Sequence, residues 1–222
     1  MAIKKRPVSP RQKMINLMYV VLMAMLALNV STEVLNGFSI VEESLKRTTA
    51  NSARENQALY DNFAEQMQKN PQKVKQWYDK SQKVKQMSDH LYNLVDELKQ
   101  AIVVEADGKD GDVQNIRNKE DLEAATQVML SPSGGRGAEL YQAINNYREQ
   151  LLKMVTDDHQ KQMIVSNLTT QIPPSEQSLG KNWQEYMFES MPAAAAVTLL
   201  SKLQNDVRYA EGEVLHTLVS NI

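Results

Sequence analysis

The chain has 222 residues, 25 Lys plus Arg against 27 Asp plus Glu, no cysteine and a hydrophobic fraction of 42%, a composition that suits one medium domain or two small ones. Eight Gly and seven Pro are too few for the frequent turns of a β-sandwich or barrel, whereas twelve Met with abundant Leu, Gln, Lys and Glu suit helices. The net charge of −2 hides a division. Residues 1–13 carry Lys4, Lys5, Arg6, Arg11 and Lys13, no acid precedes Glu33, and the remaining chain therefore carries −7. Basic residues gathered in one short tail beside an apolar run argue against a nucleic-acid binder with a basic face.

From Met14 to Thr32 nineteen consecutive residues carry no charge. As a helix they measure about 28 Å against a hydrocarbon core of about 30 Å. Eight Ile, Leu and Val in the run contribute roughly −2.4 to −4.8 kcal/mol to insertion, from which Asn16, Tyr19 and Asn29 subtract. A transmembrane helix is expected over residues 14–35, with residues 1–13 as a basic cytoplasmic tail and residues 36–222 outside, because the positive charges precede the run and Glu33, Glu42 and Glu43 follow it. A cleaved signal peptide is the competing reading. It lacks an A-x-A-like site here, and Val34, Leu35, Phe38, Val41 and Leu45 continue a helical spacing past the run. The absence of cysteine fits an oxidising exterior without deciding it. No second run of comparable length follows, since AAAAVTLL at 193–200 is too short.

Beyond the run the spacing predicts a first exterior helix over 33–69, ended by Asn70-Pro71, whose middle, KRTTANSARENQA, is too polar for a tightly packed strip. A second helix over 72–104 carries the strongest periodicity, with Trp77, Val84, Met87, Leu91, Leu94, Leu98 and Ala101 separated by threes, fours and a seven. Residues 105–120 read as a loop, 121–130 as a short helical turn and 131–137 as a second loop. A third helix carries Leu140, Ile144, Tyr147, Leu151 and Val155 and is expected to continue to about Thr170, before Pro173-Pro174. After an irregular stretch with Trp183, Tyr186 and Phe188, Pro192 opens the last helix with Ser190 as its N-cap, and Val197, Leu200, Leu203, Val207, Ala210, Val214 and Leu218 form its seam. The expected fold is all-α, a single transmembrane helix followed by an up-and-down bundle of about four helices. A helix running to Ile222 without a polar tail leads to the expectation that further domains follow in the parent protein.

Catalytic signatures are weak throughout, and no enzymatic activity, cofactor or metal is expected. His90, His159 and His216 lie far apart without a His-Glu-x-x-His spacing, and no Cys completes a zinc site. Lys109 occupies the position where a calcium loop beginning at Asp107 needs its second oxygen ligand. Ser133-Gly134-Gly135-Arg136-Gly137 lacks the Lys-Ser/Thr ending of a P-loop. Trp77 and Trp183 read as core or inter-helix residues. The apolar run is different. Asn16, Tyr19 and Asn29 are costly against lipid, Arg11 and Lys13 sit within one turn of the span, and Arg11, Ile15, Tyr19 and Met23 step by four along one face. Arg11 either snorkels to the headgroups or, if drawn deeper, pairs with a membrane carboxylate.

The stretch SPRQKMINLMYVVLMAMLALNVSTEVLNGF, Ser9 to Phe38, resembles the N-terminus of the GldM family, also called PorM, of the Bacteroidetes gliding-motility and type IX secretion machinery. AELYQAINNYRE and AAVTLLSKLQNDVRYAEGEVL are also similar to that family, so the resemblance covers nearly the whole chain. It implies a non-enzymatic subunit of a proton-motive-force-driven inner-membrane motor with the bulk of the chain periplasmic. A homodimeric pair of these helices would sit inside a ring of GldL-like polytopic subunits, and motion would pass through the periplasm to outer-membrane secretion components. Arg11 matches the family's functional arginine and would pair with a GldL glutamate whose protonation breaks the ion pair. Tyr19, with Asn16 and Lys13, would contact the membrane partner. The architecture is similar to the stators of flagella and of the Ton and Tol systems, but no carboxylate lies between residues 1 and 32, so the proton-binding acid would belong to the partner. The alternative expectation is a membrane-anchored, chemoreceptor-like helical sensor.

Overall fold

The computed structural model describes residues 7–28, 30–132 and 135–222, and the side chains of all of these except 24–28. Among the described residues the chain is all-helical, with nine helices and no strand. Ser9 opens the first, its Oγ accepting from the Gln12 amide at 3.2 Å, and Pro10 fills the first helical position. This helix, α1, spans Pro10–Leu28. The expected continuous helix over 14–35 does not form. Ser31 is extended and its Oγ accepts from the Val34 amide at 3.2 Å, while Glu33 lies in the first turn of α2, Thr32–Lys69, so a capped start replaces continuation. Asn29, one of the polar positions marked in the sequence, lies outside the described residues. Among the described residues no helix is long and apolar enough to cross a membrane.

The helix α2 runs unbroken through its polar middle for 38 residues, about 57 Å. Asn70 both ends it and, through its side chain, accepts from the Lys73 amide at 3.3 Å, so a single residue turns the chain into α3, Pro71–Asp107. Gly108 stops α3 three residues later than expected, at φ +97, a conformation that costs other residues a Cβ clash. A short α4, Ala124–Leu130, is followed by α5, Gly137–Leu152. The expected continuation of the third helix to Thr170 is broken at 153–157. Asp157 caps a separate α6, Asp158–Asn167, by accepting from the Gln160 amide at 2.8 Å, and Val155 is buried within the break. The stretch expected to be irregular holds α7, Pro174–Ser178, and α8, Trp183–Phe188, the latter opened by a capping box between Asn182 and Glu185. The last helix, α9, spans Ala193–Val219. Ser190 does not cap it: its φ is +51 and its amide donates to Thr126 Oγ1 at 2.9 Å, anchoring the turn to α4.

The up-and-down expectation fails in one respect. Ser201 faces Glu42 and Glu211 faces Tyr60, so α9 runs parallel to α2. Asp89 faces Arg208 and Lys99 faces Gln204, so α3 runs antiparallel to both. Ser88 meets Tyr147, and Glu97 meets Arg136 just ahead of α5, so α5 also runs against α3. The return leg that a four-helix bundle would make with a fourth long helix is instead built from α6, α7 and α8, because the Asp157 cap and Pro173-Pro174 break it into pieces. Gln160 meets Thr217 at the far end, Thr170 meets Asn145 midway, and Ala193 reaches the Asp121 carbonyl at the near end. Consequently α1 joins the bundle at one end and residue 222 lies at the other. One hydrophobic core, with Phe63, Leu91, Leu98, Ile144, Leu200 and Val207 among its fully buried members, runs between the long helices.

Candidate functional site

The residues singled out in α1 occupy its outward surface. Arg11, Lys13, Asn16 and Tyr19 are all exposed, Tyr19 to 63%. Gln12 donates through Nε2 to Asn16 Oδ1 at 3.0 Å, so Asn16 is tied to its own helix and not to the bundle. Arg11, Ile15, Tyr19 and Met23 advance by four and share a face. Met14, Leu17, Met18, Val20, Val21 and Leu22 are also exposed. An apolar surface this continuous marks a membrane or protein contact.

The buried chemistry lies elsewhere, between α2, α3 and α9, and sequence reasoning passed over it. Glu211 is 1% exposed. Its Oε1 accepts from the Tyr60 hydroxyl at 2.7 Å, and its Oε2 accepts from Arg208 at 2.9 Å and from Asn56 at 3.3 Å. Arg208 also reaches Asp89 at 3.0 Å and lies 4.4 Å over the Tyr92 ring. Burial, then the Glu211 charge, pushes the Tyr60 hydroxyl far above its ordinary value, and burial does the same at Tyr147, whose hydroxyl lies 2.7 Å from Ser88. One stretch closer to α1, Lys99 donates to Gln204 at 3.1 Å and stands 3.8 Å from Glu42, which also accepts from Ser201 at 2.7 Å. Burial lowers the Lys99 pKa, with Glu42 and Asp96 opposing the shift. Glu42 Oε2 is buried and finds no hydrogen-bond partner among the described residues.

Two residues of the polar middle of α2 are thereby explained, its others being exposed or half-buried. Thr49 donates to Asn205, and Asn56 donates to the Arg208 carbonyl at 2.8 Å, so these residues face polar partners on α9 and not solvent. Gly212 makes room for this contact, since a Cβ there would fall 2.7 Å from Asn56 Oδ1. The available signal was in α9, where Ser201, Gln204, Arg208 and Glu211 step by three, four and three beside the apolar seam. A cleft of about 380 Å³ opens along this seam beside Lys46, Asp96 and Gln204, and an apolar one of about 270 Å³ lies beside Trp183, Leu200 and Leu203.

The weak signatures resolve into structural roles. The Asp107 carboxylate accepts the amides of Arg117 and Asn118 at 2.8 Å each, and Asp110 pairs with Arg117 at 2.8 Å, so this acidic loop satisfies itself. His90, His159 and His216 are exposed. Trp183 packs edge-on against Phe188 at 5.9 Å, and Trp77 is partly buried against the core. Ser133 and Gly134 of the glycine-rich loop lie outside the described residues.

These features define a class: a helical bundle domain, internally stapled by polar contacts, preceded by a helix that shows its apolar side chains to the outside. The profile of the GldM N-terminal domain matches residues 33–221, and the chain belongs to that family. It is a component of the gliding-motility and type IX secretion machinery. The family is not a known enzyme family. No curated protein matches the chain.

Proposed function

We propose that this chain is the anchored, force-transmitting subunit of a proton-motive-force-driven inner-membrane motor. In this reading residues 1–13 are cytoplasmic, α1 inserts in the membrane, and the bundle from α2 onward stands in the periplasm. Two copies pair inside a ring of GldL-like polytopic subunits and pass motion to the outer-membrane secretion components. The observation that carries the proposal is the contrast across residue 31: the helices after it share one buried apolar core and leave large apolar side chains such as Val34, Ile40 and Val165 exposed singly or in pairs, while α1 leaves every large apolar side chain from Met14 to Met23 exposed behind a basic tail.

Arg11 is the contact charge. Beside a partner carboxylate in low dielectric the pair holds only while the acid is ionised, and a proton taken up by that acid removes the attraction. Tyr19, two turns further along the same face, with Asn16 and Lys13, packs against the partner helices. The test is Arg11→Ala with Arg11→Lys beside it. The alanine variant is expected to keep its melting temperature and its membrane location and to lose secretion and gliding completely, with lysine restoring part. Normal secretion in Arg11→Ala refutes the ion-pair role.

A further inference from the structure

The charge of the exterior part is not evenly spread. Residues 66–88 hold six lysines, Lys69, Lys73, Lys75, Lys80, Lys83 and Lys85, against Asp79 alone, a net +5 on a body whose remaining residues from 33 onward carry −12. Three of the six have partners that absorb them: Lys69 pairs with Glu65, Lys75 with Asp79, and Lys85 lies over the Tyr60 ring. Lys73, Lys80 and Lys83 have no acidic partner among the described residues, and all three are exposed. At about 100° per residue Lys73, Gln76, Lys80 and Lys83 fall on one face of α3, spread over about 15 Å of its axis. Partly buried Trp77 flanks them, with Lys80 Nζ 4.5 Å from its ring. Like charges three residues apart, as at Lys80 and Lys83, weaken a helix, and among the described residues the Trp77 ring under Lys80 offsets this while no carboxylate does.

We infer that this lysine ridge on the first four turns of α3 is a docking surface for an acidic segment of another protein. The inference rests on the proposed anchoring through α1. With α1 in the membrane, the ridge lies along the far part of α2, roughly 40–55 Å from its start, out of reach of lipid headgroups. A second copy anchored in the same membrane is a poor occupant too, because its acidic loop at 105–123 lies at the near end and spends Asp107 and Asp110 on its own amides and Arg117. The partner is therefore a periplasmic protein that meets the bundle at the end where residue 222 lies, carrying carboxylates spaced over about 15 Å.

The experiment uses the membrane-anchored chain in cells and purified with its membrane complex. Lys73→Glu/Lys80→Glu/Lys83→Glu is compared with Lys73→Arg/Lys80→Arg/Lys83→Arg. The Glu triple is expected to keep its helical content and its co-purification with the membrane ring and to lose secretion at least tenfold, while the Arg triple secretes normally. Because the chain has no cysteine, Gln76→Cys takes a single fluorescent label. Titration with a synthetic twelve-residue glutamate-rich peptide should give salt-sensitive binding that the Glu triple loses at least tenfold. Unchanged secretion in the Glu triple overturns the inference. So does loss of ring co-purification in that variant, or binding to phosphatidylglycerol vesicles with none to the peptide. A normal Arg11→Ala variant would instead overturn the motor reading itself.

Discussion

Val20 in α1 is 64% exposed and Val207 in α9 is fully buried. Both belong to long helices rich in Leu, Val and Ala, and their different fates come from what surrounds them. The long helices α2 and α3 pack along α9, with α4, α5 and α6 touching it, and its alanine run lets the 119–121 segment approach closely enough for the Ala193 and Ala194 amides to reach the Asp121 and Lys119 carbonyls at 2.9 and 3.1 Å. A row of polar residues on the inner side of α9 is consumed inside, at Ser201, Gln204, Arg208 and Glu211, while Lys202 and His216 face out. In α1 the polar residues stay on the surface. Apolar content alone thus does not tell a core helix from a contact helix; the destination of its polar residues does.

The largest effect should come from placing the same charge in both helices. Val207→Asp buries a carboxylate beside Tyr147 without a cation and should cost upward of about 5 kcal/mol, enough to unfold the bundle. Val20→Asp should leave the bundle's thermal melt unchanged and abolish membrane association. Equal destabilisation of the bundle by the two would break the comparison. Next in size is the buried pair. Lys99→Met strands Glu42 and should cost about 3 kcal/mol by denaturant melting, and adding Glu42→Leu should recover most of it, because two apolar side chains replace a pair held only at 3.8 Å. Failure of the second substitution to rescue would mean that Glu42 answers to Ser201 more than to Lys99.

The smallest effect concerns pH. Tyr60 and Tyr147 are held neutral in the fold by burial, with the Glu211 charge adding to it, whereas in the unfolded chain they ionise near pH 10. Above that pH the folded state holds more protons than the unfolded state, so stability falls as pH rises. Tyr60→Phe should cost about 1.5–3 kcal/mol at neutral pH through loss of the bond to Glu211 and should flatten the alkaline decline measured by melting between pH 9 and about 11.

The helices most legible in the sequence were those whose burial is apolar. In α3, Val84, Leu91, Leu94 and Leu98 repeat by threes, fours and a seven and are buried. In α9, Val207, Ala210, Val214 and Leu218 do the same. The packing of α2 was not legible, because it buries Thr49, Asn56 and Tyr60 and a polar residue's partner cannot be read from its own helix. Caps decided the boundaries that went astray. Ser31 divides what apolar continuity joined, Asp157 divides the third helix, and Asn182 with Glu185 makes a helix where composition gave none. Each of these is a local side-chain to backbone bond that hydrophobic periodicity does not register. Arg11 and Tyr19 stood out in the sequence for the opposite reason, as polar groups within an apolar stretch.

The parallel course of α2 and α9 has a mechanical consequence. A pull applied between α1 and residue 222 enters at the start of α2 and leaves at the end of α9, so it slides the two helices past one another lengthwise and does not lift one off the other. In that direction the contacts from Glu42–Ser201 through Asn56–Arg208 to Tyr60–Glu211 are strained together and not one after another. Their resistance adds, and the domain behaves as a stiff strut along its axis while remaining easier to pry open from the side.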